Sequence, residues 1–190
     1  MRRISTEMFF RAANPRLVAL ITSGSVEEPN AMAATWHSPI SFDPPLYGVS
    51  VSPKRTTHSL IRETRSFGVN LLPYEMVDSV HTCGRISRRE RSDKLELAGV
   101  KVFSGPDLGV PLVEGAYTSL ECRLVREIEL GDHTWFVGEV RSVLFEGTEK
   151  GVIDVSAMRP LLYLGSDLYV TVDPESVRRG RVRKGKGRMR

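Results

Sequence analysis

Short apolar runs of strand length, separated by turn-forming residues, recur along most of the chain. Residues 17–22 form a continuous apolar run, and residues 46–51 alternate in the manner of a strand. Strands are predicted at 17–22, 32–42, 46–51, 67–72, 119–128, 134–145 and 161–163, and short helices at 5–12, 56–64 and 74–83. Because many strands of similar length are joined by turns and few helices intervene, the pattern favours a mainly β fold, a barrel, over a doubly wound sheet.

Residues 84–115 interrupt this pattern, because they are rich in charge, glycine and proline. We expect long loops there, and such loops inside a compact domain are usually functional or interfacial. In the strand that follows, the charged side chains of Glu121, Arg123, Arg126 and Glu129 are predicted to face solvent.

The composition is that of an ordinary globular protein of one domain, with 190 residues of which 41% are hydrophobic. No apolar run approaches the roughly 20 residues of a membrane span, and the N-terminal residues lack the pattern of a secretory signal. The cysteines, Cys83 and Cys122, lie far apart and form neither a disulfide framework nor a zinc pattern. We therefore expect a cytoplasmic protein in which both thiols are buried.

The positive net charge of +4 comes from the end of the chain. From residue 178 onward there are eight Lys or Arg and no acid, and without them the formal charge of the remainder is −4. We therefore divide the chain into a domain at 1–174 and a basic tail at 175–190. The tail binds nucleic acid or another phosphate-bearing partner, covers a neighbouring subunit, or only aids solubility, whereas the acidic body argues against nucleic acid.

Two segments have the chemistry that a ring and a phosphate require. Segment 30–36 (NAMAATW) is a strand with small side chains, which either let a flat ring approach the backbone or pack tightly beside a buried tryptophan. Segment 50–57 (SVSPKRTT) runs from a strand into a helix, and its cations, hydroxyls and helix N-terminus suit a phosphate. Taken alone, segment 50–57 also fits a polar loop with an ordinary helix N-cap. One segment for a ring and one for its phosphate are what a mononucleotide cofactor needs.

A third stretch, GDHT at 131–134, places His133 at the tip of a loop that enters a strand. Asp132 can orient the imidazole, which can donate to a ligand or shuttle a proton near neutral pH. The alternative is a simple turn, because Gly-Asp pairs are common in turns. No histidine or cysteine has metal-ligand spacing, so no metal site is predicted, and the nucleotide loops GxGxxG and GxxxxGK[ST] are missing from the sequence.

In this order, the stretches resemble the flavin reductase-like family, from about Phe9 to Tyr169. The matching pieces are NAMAATWHSPISFDPPLYGVSVSPKRTTHSLI, FGVNLL, SDKLELAGV, GDHTWFVGEV and RPLLYLGSDLYV. The first and fourth pieces are the most specific. The resemblance implies a homodimeric Greek-key split β-barrel with a few short helices, which binds FMN near the dimer interface as flavoredoxins and NAD(P)H:flavin oxidoreductases do.

The resemblance also implies which residues form the site. Those expected to line the isoalloxazine and ribityl region are Asn30, Ala33, Ala34, Thr35 and Trp36. Those expected to approach the ring edge through backbone groups are Ser50, Val51 and Ser52, and those expected to hold the phosphate are Arg55, Thr56 and Thr57. Gly84 and Lys94 would complete the phosphate and ribityl contacts, and Tyr163 would close the pocket. His133 would be the catalytic residue, on the open side of the flavin.

The implied activity is that of an oxidoreductase that passes hydride or electrons from NAD(P)H through bound FMN to a flavin, a ferric chelate or a protein. The alternatives are a flavoredoxin-like electron-transfer flavoprotein without a pyridine nucleotide site, and a non-enzymatic FMN-binding module. No charge pattern in the sequence distinguishes NADH from NADPH.

Overall fold

The computed structural model describes residues 1–180, so most of the predicted tail, residues 181–190, lies outside the described residues. The strands are β1 (Arg16–Leu17), β2 (Ala19–Gly24), β3 (Pro29–Ala34), β4 (His37–Phe42), β5 (Pro45–Val51), β6 (Ser66–Leu71), β7 (Val102–Ser104), β8 (Pro111–Val113), β9 (Thr118–Leu130), β10 (His133–Phe145), β11 (Leu162–Gly165) and β12 (Leu168–Val170). The helices are α1 (Phe9–Ala12), α2 (Thr56–Thr64), α3 (Val77–Arg85) and α4 (Lys94–Leu97), with 3₁₀ turns at Thr6–Met8, Tyr74–Met76 and Pro174–Ser176. None of the helices in this described part is long and apolar enough to cross a membrane.

A seven-stranded antiparallel sheet in the order β3-β2-β6-β9-β10-β5-β4 forms the body of the protein. Its two edge strands, β3 and β4, are consecutive in the chain and are joined only by Thr35 and Trp36. Three Cα steps keep Ala34 within about 11 Å of His37, whereas seven strands laid flat would separate the edges by about 29 Å. The sheet therefore curls until its edges approach each other at this corner. This geometry confirms the predicted mainly β split barrel, and the split lies between β3 and β4.

Strand β2 shows why a continuous apolar run was present in the sequence. Ile21 packs inside the barrel with Phe136 and Cys122. Leu20 belongs to a second core on the opposite face, where it is grouped with Cys83 of α3. Both faces of β2 are thus covered by apolar side chains, so this strand lacks the alternation of polar and apolar residues that a half-exposed strand shows. Both thiols are free and buried, as expected.

Three predictions about secondary structure need correction. The strand predicted at 32–42 is two strands, β3 and β4, because the chain turns at Thr35 and Trp36 from one edge of the sheet to the other. The segment predicted as loops at 84–115 contains α4, β7 and β8. Strand β12 was not predicted. The elements α4, β7, β8 and β12 have only three or four residues, too few for a periodic pattern to be recognised.

The prediction that Glu121 faces solvent is wrong, since this side chain is fully buried. Its carboxylate accepts hydrogen bonds from the amides of Asp107 and Leu108, both at 2.8 Å. A side chain at Gly105 would not fit, because its Cβ would lie 2.1 Å from Oε1 of Glu121. The carboxylate thus fixes the loop between β7 and β8 against the barrel, and its two donors offset the cost of burying it. Arg123, Arg126 and Glu129 are exposed, as predicted.

Candidate functional site

A crevice of about 540 Å³ opens at the corner where the two edges of the sheet meet. It is lined by Met32, Ala33, Ala34, Thr35, Trp36, Ser50, Val51, Ser52, Lys54, Arg55 and His133. The Ser50 amide donates to the carbonyl of Trp36 at 2.9 Å, which ties the corner to β5. The structure therefore brings the two predicted segments, 30–36 and 50–57, together around one space.

One wall of this crevice, the small-residue wall, consists of Ala33, Ala34 and Thr35, all of them half-buried. Behind it, Gly84 allows α3 to approach β3 closely, because a Cβ on Gly84 would lie 3.2 Å from Cβ of Ala33. Side chains this short leave the backbone within reach of a ligand. A flat ring can therefore lie against the wall and exchange hydrogen bonds with main-chain groups.

His133 lines the crevice from the beginning of β10, which is placed beside the end of β5 by the pairing of Thr134 with Val51. Its Nδ1 lies 2.8 Å from a carboxylate oxygen of Asp132, and this hydrogen bond lowers the pKa of Asp132. The carboxylate accepts, so the proton sits on Nδ1 and Nε2 is left for a ligand. The imidazole also packs on the ring of Trp36, with 5.1 Å between the ring centroids.

A smaller pocket, the anion pocket, adjoins the crevice at Met32 and Arg55. Its lining residues are Asn30, Met32, Arg55, Thr56, Thr57, Cys83, Gly84, Ile86, Ser87, Arg88 and Lys94. Within residues 1–180, the buried hydroxyl oxygen of Thr56 has no hydrogen-bond partner. Buried polar atoms are almost always bonded, so this oxygen marks a place for a ligand atom. The hydroxyl lies in the first turn of α2, whose N-terminal amides also attract anions, so the lining of the pocket suits a phosphate.

Lys94 adds a buried positive charge to the anion pocket. The residue is only 4% exposed, and its ammonium group donates to the carbonyl of Ala31 at 2.6 Å. Burial lowers the pKa of this lysine, so its charged form is disfavoured by the surroundings. An anion in the pocket would favour the charged form and offset that cost.

Asn30 lies in the anion pocket rather than in the crevice, and it is buried. Its amide nitrogen donates to the hydroxyls of Ser23, at 3.1 Å, and Thr57, at 2.9 Å. Because the oxygen of Thr57 already accepts a hydrogen bond, its own hydrogen remains available to a ligand. Asn30 therefore holds Thr57 in place from behind.

Tyr163 does not line the crevice but an adjoining space of about 250 Å³ that we name the tyrosine cleft. The cleft shares the small-residue wall with the crevice, and its other lining residues are Val18, His81, Gly84, Arg85, Tyr163, Asp167 and Tyr169. His81, in the helix predicted at 74–83, and Tyr169, in the strand β12 that was not predicted, were not among the predicted site residues. Arg88, which lines the anion pocket, was not predicted either, and the available signal for it was the charge-rich stretch 84–115.

Comparison with known proteins identifies the family. The model of the flavin reductase like domain matches residues 10–171. An NADH-dependent flavin reductase from a Rhodococcus species is 30% identical over 154 residues, which are 79% of this chain and 82% of that protein. An uncharacterized protein from Aeropyrum pernix is 35% identical over 166 residues, and the match spans 87% of this chain but only 63% of the longer relative.

Two solved structures share the fold over almost the whole chain. An FMN-binding protein from Thermus thermophilus, with bound p-hydroxybenzaldehyde, is 35% identical with a TM-score of 0.83, over 94% of this chain and 100% of that one. The flavoredoxin of Methanosarcina acetivorans is 28% identical, also with a TM-score of 0.83, over 98% of this chain and 97% of that one. The match of the family model over most of the sequence, together with these two folds, shows that the chain belongs to the flavin reductase-like family.

Proposed function

We propose that this chain binds FMN at the split of its barrel and passes hydride from NAD(P)H through the flavin to an electron acceptor. The observation that carries this proposal is the crevice with its small-residue wall, which continues into a pocket where the buried hydroxyl of Thr56 has no hydrogen-bond partner among residues 1–180. The similarity to an FMN-binding protein and to an NADH-dependent flavin reductase supports it.

In this proposal the isoalloxazine lies against the small-residue wall. Ala33 and Ala34 leave room for the ring, and backbone groups of residues 50–52 meet its polar edge across the crevice. Trp36 closes one side of the space and keeps water from the ring. A longer side chain at Ala34 would occupy the place of the ring and would therefore hinder FMN binding.

The phosphate of FMN lies in the anion pocket. Thr56 and Thr57 donate through their hydroxyls, and the first-turn amides of α2 add their partial positive charge. Arg55 covers the pocket from its exposed side, and Lys94 supplies charge from the buried side. Charge-assisted hydrogen bonds of this kind are about twice as strong as neutral ones.

When bound, FMN supplies the hydride and electron chemistry, and the protein orients the reactants. His133 presents Nε2 to the open part of the crevice, where it meets the nicotinamide of NAD(P)H or balances charge near the ring. Asp132 holds the imidazole in this orientation through Nδ1. Lys54, at the same opening, is placed to attract the phosphates of the nucleotide.

Adding NADH or NADPH without oxygen to the FMN-loaded protein tests this proposal. We expect one of the nucleotides to bleach the flavin absorbance within seconds to minutes.

The second candidate is electron transfer from a partner protein without a pyridine nucleotide site, and the similarity to a flavoredoxin favours it. It predicts no bleaching by either nucleotide but full reduction by a reduced carrier protein. A non-enzymatic module would bind FMN without turnover by any donor.

We also propose that the protein is a homodimer. An apolar groove of about 720 Å³ runs across the outer face of the sheet, with Ile40, Val125 and Ile128 exposed in it. An apolar patch of this kind on a globular domain usually marks an interface. We expect Val125→Glu to convert a dimer into a monomer in sedimentation experiments, whereas Val143→Glu should not.

Because both thiols are free, we place the protein in the reducing cytoplasm.

A further inference from the structure

A buried histidine, His58, lies in the first turn of α2, beside the two threonines assigned to the phosphate. It does not line the anion pocket. Its Nε2 lies 2.9 Å from the hydroxyl oxygen of Thr134, the second residue of β10. We propose that His58 is a positioning residue, which fixes the beginning of β10 and thereby holds the imidazole of His133 in place at the crevice.

The hydrogen bond between His58 and Thr134 joins two buried side chains, which are 8% and 4% exposed. The imidazole of His58 also packs edge-on against the ring of Phe136, with 5.0 Å between the ring centroids. Burial lowers the pKa of His58, so the ring is neutral at pH 7 and has one donor and one acceptor nitrogen. Removal of either partner would leave a buried polar group unpaired, so the bond ties β10 to α2.

The turn of the β9–β10 hairpin, by contrast, is exposed. Gly131 and Asp132 form this turn between the paired residues Leu130 and His133. The side chain of Asp132 is 93% exposed, and Leu130 is exposed as well. Backbone with so few buried neighbours opens locally at a small cost in free energy. A link to α2 therefore matters most at the residues that follow this turn.

The alternation of side chains along β10 connects Thr134 to His133. Thr134 and Phe136 share the face of the strand that looks into the barrel, where Phe136 belongs to the core. His133 belongs to the other face, where its imidazole lines the crevice and packs on the ring of Trp36. A hydrogen bond that holds Thr134 from inside the barrel thus sets the backbone position from which His133 extends into the crevice.

The placement of His133 also affects the reaction, and this step of the inference rests on the function proposed above. Nε2 of His133 is the atom assigned to the nicotinamide side of the crevice. Displacement of a catalytic group by about 1 Å can slow a reaction by a factor of about 100. We assign His58 no contact with flavin or nucleotide, so it acts only through Thr134 and His133.

Proton NMR spectra of the full-length protein test the placement without any nucleotide. In the wild-type protein, the ring current of Trp36 should shift the imidazole signals of His133, because the two ring centroids lie 5.1 Å apart. The variant His133→Ala identifies these signals by their absence. In Thr134→Val and in His58→Phe, each of which removes one partner of the hydrogen bond, the signals of His133 should lose most of this shift.

Two control variants separate positioning from a general loosening of α2. His58→Gln should keep the shift, because the glutamine amide has both a donor and an acceptor to offer Thr134. Thr64→Val should also keep it. That substitution removes a hydroxyl at the other end of the same helix, where it donates to the carbonyl of Leu60 at 2.9 Å. A general loosening of the helix would instead move the signals of His133 in all of these variants.

Stopped-flow reduction of the FMN-loaded protein provides the kinetic readout, with whichever of NADH and NADPH reduces the wild type. Thr134→Val and His58→Phe should slow reduction about three- to tenfold, the effect of one hydrogen bond, whereas His58→Gln should restore the rate. In the His133→Ala background, Thr134→Val should slow reduction by less than about twofold, because residues that act through one another are not additive.

The two readouts distinguish a failure of this inference from a failure of the proposed function. Thermal transitions show whether each variant folds, and one folded variant of the pair Thr134→Val and His58→Phe is sufficient. Unchanged His133 signals in that variant, or the same loss of shift in His58→Gln, would overturn the inference. If a nucleotide reduces the wild type and the folded variant at the same rate, the inference is wrong and the proposed function stands. If neither nucleotide reduces the wild type, the proposed function fails, and the NMR spectra still decide whether His58 positions His133.

Discussion

Replacing Thr56 by valine should stabilise the flavin-free protein and weaken FMN binding. Valine keeps the branched shape of threonine and exchanges the buried hydroxyl for a methyl group. Because this hydroxyl has no partner within residues 1–180, its removal relieves a desolvation cost of about 1–3 kcal/mol. For a chain of this size, each kcal/mol shifts the melting temperature by about 2–4 °C. Differential scanning fluorimetry of the flavin-free protein measures this rise.

The loss of FMN affinity follows from the same atom. In the proposed complex the Thr56 hydroxyl would donate to a phosphate oxygen, and a hydrogen bond to a charged group contributes about 1.5–3 kcal/mol. The dissociation constant for FMN should therefore rise by about 10- to 150-fold in Thr56→Val. Titration of FMN fluorescence with protein measures it directly.

Thr57→Val is the matched control, because this hydroxyl has a partner. Its oxygen accepts from Asn30 at 2.9 Å, so the substitution leaves one of the two amide hydrogens of this buried side chain without an acceptor and should lower the melting temperature. Opposite thermal shifts for the two neighbouring variants are therefore expected. A Thr56→Val protein that melts earlier than wild type and binds FMN with unchanged affinity would refute this reasoning.

Three further predictions concern catalysis, pH and folding. His133→Ala should retain FMN but slow its reduction by NAD(P)H about tenfold in stopped-flow measurements, the effect of one lost transition-state hydrogen bond, and unchanged rates would remove His133 from the site. Burial lowers the pKa of His37 and His58, so the unfolded chain binds more protons than the folded protein below the ordinary pKa of 6.5. The free energy of unfolding, measured in urea, should therefore fall as the pH drops below about 6.5 and stay level from pH 7 to 8; a level profile across pH 6.5 would contradict this. Glu121→Ala should destabilise the protein by about 3 kcal/mol or more, because two amides lose a charged acceptor, whereas exposed Glu129→Ala should stay within about 0.5 kcal/mol; similar urea midpoints for the two variants would be the contrary result.

The fold could be predicted as far as local pattern and turn residues determine it. Strands β5, β6, β9 and β10 and helix α2 lie where the sequence placed them, within a few residues, because each is long enough to show its period. The corner at Thr35 and Trp36 could not be predicted, since it depends on the two sheet edges meeting. The burial of Glu121 could not be predicted either, because its donors are backbone amides of a distant loop.

The candidate site shows the same division between local and distant information. The predicted segments 30–36 and 50–57 each carry their own signal, small residues in one and hydroxyls with cations in the other, and the structure brings them to one crevice. The placement of Asn30 behind Thr57 depends on packing across 27 positions of sequence. The pairing of His81 with Tyr169 spans 88 positions and contains no local motif.

Comparing the affinities of the purified protein for FMN and for riboflavin tests the central claim most directly. The two ligands share the ring and the ribityl chain, and only FMN carries the phosphate that the anion pocket would hold. With at least two charge-assisted hydrogen bonds to that phosphate, the protein should bind FMN more than about 100-fold more tightly than riboflavin. Equal affinities, or no binding of either flavin, would contradict the account.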